Sequence, residues 1–149
     1  MKFIFILIIT AFPLFALADS STPEGLAKDY VAAVQSKDLA VFKKLVHPKF
    51  LASLTPAEAK LIDAGIQSLL ADADQLKDPM WIRTKELSPK DQASLSTEEL
   101  WKVLPEVQIE MQPYRKVSDA KEATGYMAVQ FAAKHEGKYY LVFQLPKTP

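Results

Sequence analysis

The stretch from Thr124 to Leu145 limits what this chain can fold into more than any other. Residues 124–135 and 138–145 flank Glu136-Gly137, and both arms are rich in β-branched and aromatic side chains. Two such arms around a two-residue turn ending in glycine read as a tight hairpin, with glycine supplying the positive φ. That turn pairs His135 with Lys138 and thereby sets every other partner, because side chains alternate between faces. One face then carries Met127, Val129, Phe131, Ala133, Tyr140 and Val142. The other carries Ala128, Ala132, Leu141, Phe143 and Leu145, with Gln130, Lys134 and Tyr139. Both faces are largely apolar, so the hairpin must be covered on both sides. Its own helices can take one side, and a partner is expected on the other.

The helices come first in the chain. Thr22-Pro23-Glu24 combines a capping hydroxyl, a proline at the first helical position and an acid at the positive end of the dipole. Leu26, Tyr30 and Val34 follow at helical spacing, with Ala27 and Val31 beside them. Asp38 can cap a second helix carrying Leu39, Phe42, Leu45 and Val46, which His47-Pro48 ends, since the residue before proline avoids helical angles. Thr55-Pro56-Ala57-Glu58 is a capping box. The helix it opens is predicted to run to about Leu76, with Ile62, Ile66, Leu69, Ala73 and Leu76 on one face, and Asp78-Pro79 closes the segment. Gly65 inside it either costs about 1 kcal/mol relative to alanine or marks a close contact.

From Met80 the period changes to that of strands. Met80 to Leu87 reads as one strand, and residues 88–103 as one or two short helical turns with capping serines. Residues 106–112 alternate strictly, with Val107, Ile109 and Met111 on one face and Glu106, Gln108, Glu110 and Gln112 on the wet one. Pro113 belongs at an edge or a bulge. The whole is an α+β domain, with N-terminal helices packed on an antiparallel sheet.

Residues 1–18 have the form of a secretory leader: a basic Lys2, an uncharged apolar run from Phe3 to Leu17, and the small-x-small Ala16-Leu17-Ala18. Phe3 to Ala18 is short of the ~20 residues that a membrane-crossing helix needs. Cleavage before Asp19 leaves residues 19–149 as a single domain, periplasmic or secreted, with no membrane attachment. Loss of Lys2 leaves 17 Lys and Arg against 18 Asp and Glu, a net charge of −1. That balance argues against nucleic acid as a partner, which needs clustered positive charge. The chain has no cysteine, so no disulfide is available and no lipid can be attached beside the leader.

Two short helices, a His-Pro break, a longer helix and a meander ending in an acid-Gly-Lys-aromatic hairpin form a recognisable order. Leu26 to His47-Pro48-Lys49-Phe50, with Glu136-Gly137-Lys138-Tyr139-Tyr140-Leu141-Val142, resembles the nuclear transport factor 2-like superfamily, which includes ketosteroid isomerase and SnoaL-like proteins. The resemblance implies a strongly curved, cone-shaped sheet wrapped around the helices, a cavity at the open end, and dimerisation through the sheet. It does not imply an activity, because this fold hosts enzymes and binding proteins alike. Residues 51–79 are longer and more helical than the family's usual link, which points to a cone whose mouth is capped or filled.

Chemistry is sparse. His47 and His135 are the only histidines and lie far apart, so no metal-ligand spacing exists, and no metal or other cofactor is expected. Asp72-Ala73-Asp74 lacks the glycine and closing glutamate of a calcium loop. No G-x-S-x-G surrounds a serine, and the four glycines are too scattered to cradle phosphate. The acid–base residues that the family's enzymes use find no match, so no catalytic residue is assigned. Tyr30, Trp81, Trp101, Tyr126 and Gln130 are the candidate ligand-binding set, an aromatic wall with one amide to orient a ligand. The reading is of an exported, non-enzymatic domain that binds a small apolar ligand or an envelope protein, and that forms a homodimer. The alternatives are an exported acid–base isomerase or lyase, or a subunit of a cell-envelope assembly.

Overall fold

Each long helix starts where a side chain satisfies its first amides. The computed structural model describes residues 20–76, 80–98 and 100–145; the leader, Asp78-Pro79 and the last four residues lie outside them. Thr22 Oγ1 accepts from the Gly25 amide at 3.0 Å and opens α1 (Pro23–Ser36). Asp38 accepts from the amides of Ala40 and Val41 and opens α2 (Leu39–Lys43). That helix ends sooner than its apolar spacing predicts. Beyond Lys43 the chain tightens into turns, with the amides of Lys44, Leu45 and Val46 each bonded three residues back, and Val46 then bridges to Leu141 at the sheet edge. Pro48 then starts a further short helix, α3 (Pro48–Ala52), because proline suits the first helical position.

The capping box at Thr55 is present in both directions. Thr55 Oγ1 accepts from the Glu58 amide at 3.3 Å, and the Thr55 amide donates to Glu58 Oε2 at 2.7 Å. It opens α4 (Pro56–Ala71), which does not reach Leu76 as one helix but tightens into a 3-10 turn over Asp72–Gln75. Ile62, Ile66, Leu70, Ala73 and Leu76 are buried along it, and Leu69 is only half-covered.

The sheet is antiparallel and open, in the order β1 (Met80–Glu86), β3 (Val107–Val117), β5 (Ala128–His135), β6 (Lys138–Val142). The β5–β6 register is the one expected, with His135 opposite Lys138, and Glu136 and Gly137 both take positive φ, at 50° and 81°. The strand expected from Thr124 starts later, and an extra strand precedes it. β4 (Ala120–Ala123) pairs with the far end of β3, and β5 begins only at Ala128. Pro113 sits in the gap between the two ladders. Having no N–H, it cannot extend either one, and its carbonyl accepts from both the amide and Oγ1 of Thr124.

Two layers of cover follow from this topology. On the inner face Val107, Ile109, Met111, Ala132 and Leu141 join Leu26, Tyr30, Phe42, Phe50, Ile66 and Leu76 in one core. Each large side chain buried there is worth about 1.5–3 kcal/mol. Helix α1 packs on the strands, and α4 adds its buried side chains to this core from against α1 and α2.

The outer face holds a correction. Its cover is expected from a partner, but the chain supplies much of it. Helix α5 (Pro89–Glu98) leads into a two-residue strand, β2 (Leu100–Trp101), which pairs with β7 (Gln144–Leu145). Trp101 meets Phe131 edge-on at 5.3 Å, and Leu87, Leu95 and Phe131 line a hollow beneath α5. Ala133 and Val142, on the same face, are 2% exposed. Of the patch predicted from Phe131, Val129, Val142 and Tyr140, only Val129 is exposed, with Met127 beside it.

Candidate functional site

The sheet's alternation divides the five candidate binding residues between its two faces. Tyr30 on α1 and Gln130 on β5 meet in the core, where Gln130 Nε2 donates to Tyr30 Oη at 3.2 Å. The Tyr30 ring is 1% exposed and packs edge-on against Phe42 at 5.5 Å. Tyr126, just before β5, lies on the same side, packed against the core. Burial pushes the Tyr30 phenol well above its ordinary range, and Tyr126 and Asp72 add to the effect. Burial also raises the Tyr126 phenol, with Asp72 contributing. Both hydroxyls therefore stay protonated at neutral pH and can donate hydrogen bonds but cannot act as bases.

Trp81 and Trp101 do not join them. Met80 and Ile82 take the inward positions of β1 and pack against the core, so Trp81 between them points outward. There it stacks on Tyr114 at 4.7 Å, with the Lys121 ammonium over the far ring at 4.9 Å. Trp101 lies against Phe131 on that outer face. The expected wall is thus a buried Tyr30 with the half-buried Tyr126 and Gln130 beside it, plus two separate outer aromatics.

An open site lies elsewhere, between α4 and the end of the sheet. Leu61, Ile62, Gly65, Ile66, Leu69, Phe143 and Gln144 line a groove of about 370 Å³. Its volume falls within the range of small-molecule pockets. Gly65 does not mark a close contact, for a Cβ built there meets nothing within 4 Å. Its missing side chain leaves the groove open. Leu61, 54% exposed, forms an apolar rim. Phe143 is held from behind by Phe50, with ring centroids 6.0 Å apart. Among the described residues of the lining, Gln144 is the one with a polar side chain, and none is titratable. Such a groove can hold an apolar body and orient one polar atom.

Two buried features escape sequence reasoning. Asp29 is 4% exposed on α1; its position three residues after Leu26 and four before Ala33 is the signal that would have placed it on the inner face. The two histidines meet, with ring centroids 5.2 Å apart, and Tyr140 packs 6.0 Å from the His47 ring. No local pattern announces that meeting, since it depends on how the helices dock on the sheet. Among the described residues no group of three or more His, Asp or Glu side chains could hold a metal ion, and no helix is long and apolar enough to cross a membrane. No family model, curated protein or solved structure matches this chain.

Proposed function

We propose that this chain is an exported, non-enzymatic domain that binds a small apolar ligand in the groove between α4 and Phe143-Gln144. The observation that carries the reading is the groove itself: apolar, open, and kept open by a glycine in mid-helix. A glycine there costs about 1 kcal/mol relative to alanine. Neither backbone geometry nor packing requires it, since its φ is not positive and a Cβ has room. Export rests on the leader pattern of residues 1–18. The helix-first α+β order and the Glu136-Gly137 hairpin support the reading as a nuclear transport factor 2-like domain.

Catalysis has weaker support. The phenols of Tyr30 and Tyr126 are held protonated, and the described residues of the groove include no titratable side chain. The proposal is tested by titrating the exported protein with a fluorescent probe that lights up in apolar surroundings, such as the amphipathic dye 1-anilinonaphthalene-8-sulfonate. Wild type should bind it saturably. Gly65→Leu, which projects a side chain into the groove, should lose most of that binding while keeping its circular dichroism. Equal binding by both proteins would refute the assignment.

A further inference from the structure

His47 occupies the corner where the helical layer joins the sheet. Its amide donates to the Leu141 carbonyl at 2.9 Å, and the Leu141 amide donates to the Leu45 carbonyl at 2.7 Å. Residues 45–47 thus complete the outer edge of β6, with Val46 as its parallel partner. The His47 residue is 3% exposed, and its Nδ1 is buried without a hydrogen-bond partner. Against it lies His135, the only other histidine in the chain.

We infer that His47 and His135 form a pH-sensitive latch, in which protonation releases the Leu45–His47 corner from the edge of β6. The groups that face His47 decide the direction. Burial opposes its charged form most, and His135 on β5 opposes it next; Lys49 on α3 adds to both. The main chain of Lys134 and the carboxylate of Glu106, just before β3, favour the charge but do not outweigh the rest. Tyr140 on β6 contributes an aromatic edge, and Glu136 stands 3.9 Å from His135 Nε2 on the exposed side. The His47 imidazole is accordingly held below its ordinary range. In the unfolded or released chain it takes up a proton near pH ~6.5. The latch is at full strength above that point and weakens as the pH falls through it, because the released state then binds more protons. An imidazolium trapped beside a second histidine is relieved most directly by moving the corner into water.

The test is amide hydrogen exchange on the whole exported protein at about pH 8 and about pH 5, expressed as protection factors so that intrinsic exchange cancels. The amides of His47 and Leu141 should lose protection at the acid end, while that of Ile109, in the central strand, keeps it. His47→Gln should exchange alike at both pH values. If that variant does not fold, His135→Gln, which removes the neighbouring ring alone, should lessen the loss. Equal protection of His47 and Leu141 at both pH values would overturn the latch. So would an acid-induced loss in the glutamine variants as large as in wild type.

Discussion

The Tyr30–Gln130 pair and the groove beside Gly65 are two answers to one question, where a ligand could sit. The first is polar and sealed: the tyrosine is 1% exposed, and its hydroxyl already accepts from Gln130. The second is apolar and open, with a half-exposed leucine at its rim and no side chain at position 65. A satisfied buried hydrogen bond holds the core in one arrangement, and breaking it costs more than making it gained. Apolar surface left facing water, by contrast, gains when something covers it. Residue types suited to recognition therefore serve the core in one region, and plain aliphatic residues form the candidate site in the other.

Mutation can separate the two roles. Tyr30→Phe leaves the half-buried Gln130 amide without its acceptor and should lower stability by about 0.5–1.5 kcal/mol. It should leave probe binding unchanged. Denaturant unfolding with a parallel probe titration checks both halves, and loss of binding in this variant would break the comparison.

A pH series should sharpen it next, because the two regions respond differently to protons. Neither the pair nor the described residues of the groove include a group that titrates near neutrality, so probe affinity should hold steady from about pH 8 to about pH 6. Stability should not. It should decline as the pH falls past the ordinary histidine range, through His47, and His47→Gln should flatten that decline. A separate loss belongs to the carboxylate of Glu58, which Lys102, 2.7 Å away, and the Thr55 amide hold down to about 2. Its contribution is present above the ordinary carboxylate range and is lost only as the pH falls towards 2. Thermal melts across the series resolve the two windows.

Smaller effects are expected at the groove and on the outer face. Gly65→Ala should stabilise α4 by up to about 1 kcal/mol, since the added Cβ meets open space. It should weaken the probe only slightly, with Gly65→Leu weakening it far more. On the outer face, Val129→Thr should change stability by no more than about 0.5 kcal/mol. If copies of the chain associate through the exposed Met127 and Val129, sedimentation of this variant should show fewer dimers than wild type.

Local chemistry is what the sequence makes legible. The Thr55–Glu58 box, the Asp38 cap and the Glu136-Gly137 turn each involve residues within a few positions of one another, and the structure has all three. The inner strand positions Val107, Ile109 and Met111 are legible for the same reason, as a period of two. What is lost lies in long-range choices. Leu100-Trp101 becomes a strand only because Gln144-Leu145 offers an edge, and two residues carry no periodicity. Trp81 looks like a core residue by size, yet Met80 and Ile82 occupy the inward positions of its strand. Tyr30, Tyr126 and Gln130 are legible as suitable residue types, but the docking of α1 on β5 that buries Tyr30 is not. The groove has no motif at all; it follows from where α4 ends up against Phe143.

Backbone amide shifts of the isotopically labelled protein, followed during titration with the same probe, test the central claim most directly. The account predicts that the largest shifts fall on Leu61 to Leu69 and on Phe143-Gln144, saturating together. Shifts concentrated instead at Tyr30, Tyr126 and Gln130, with the α4 amides unmoved, would contradict it.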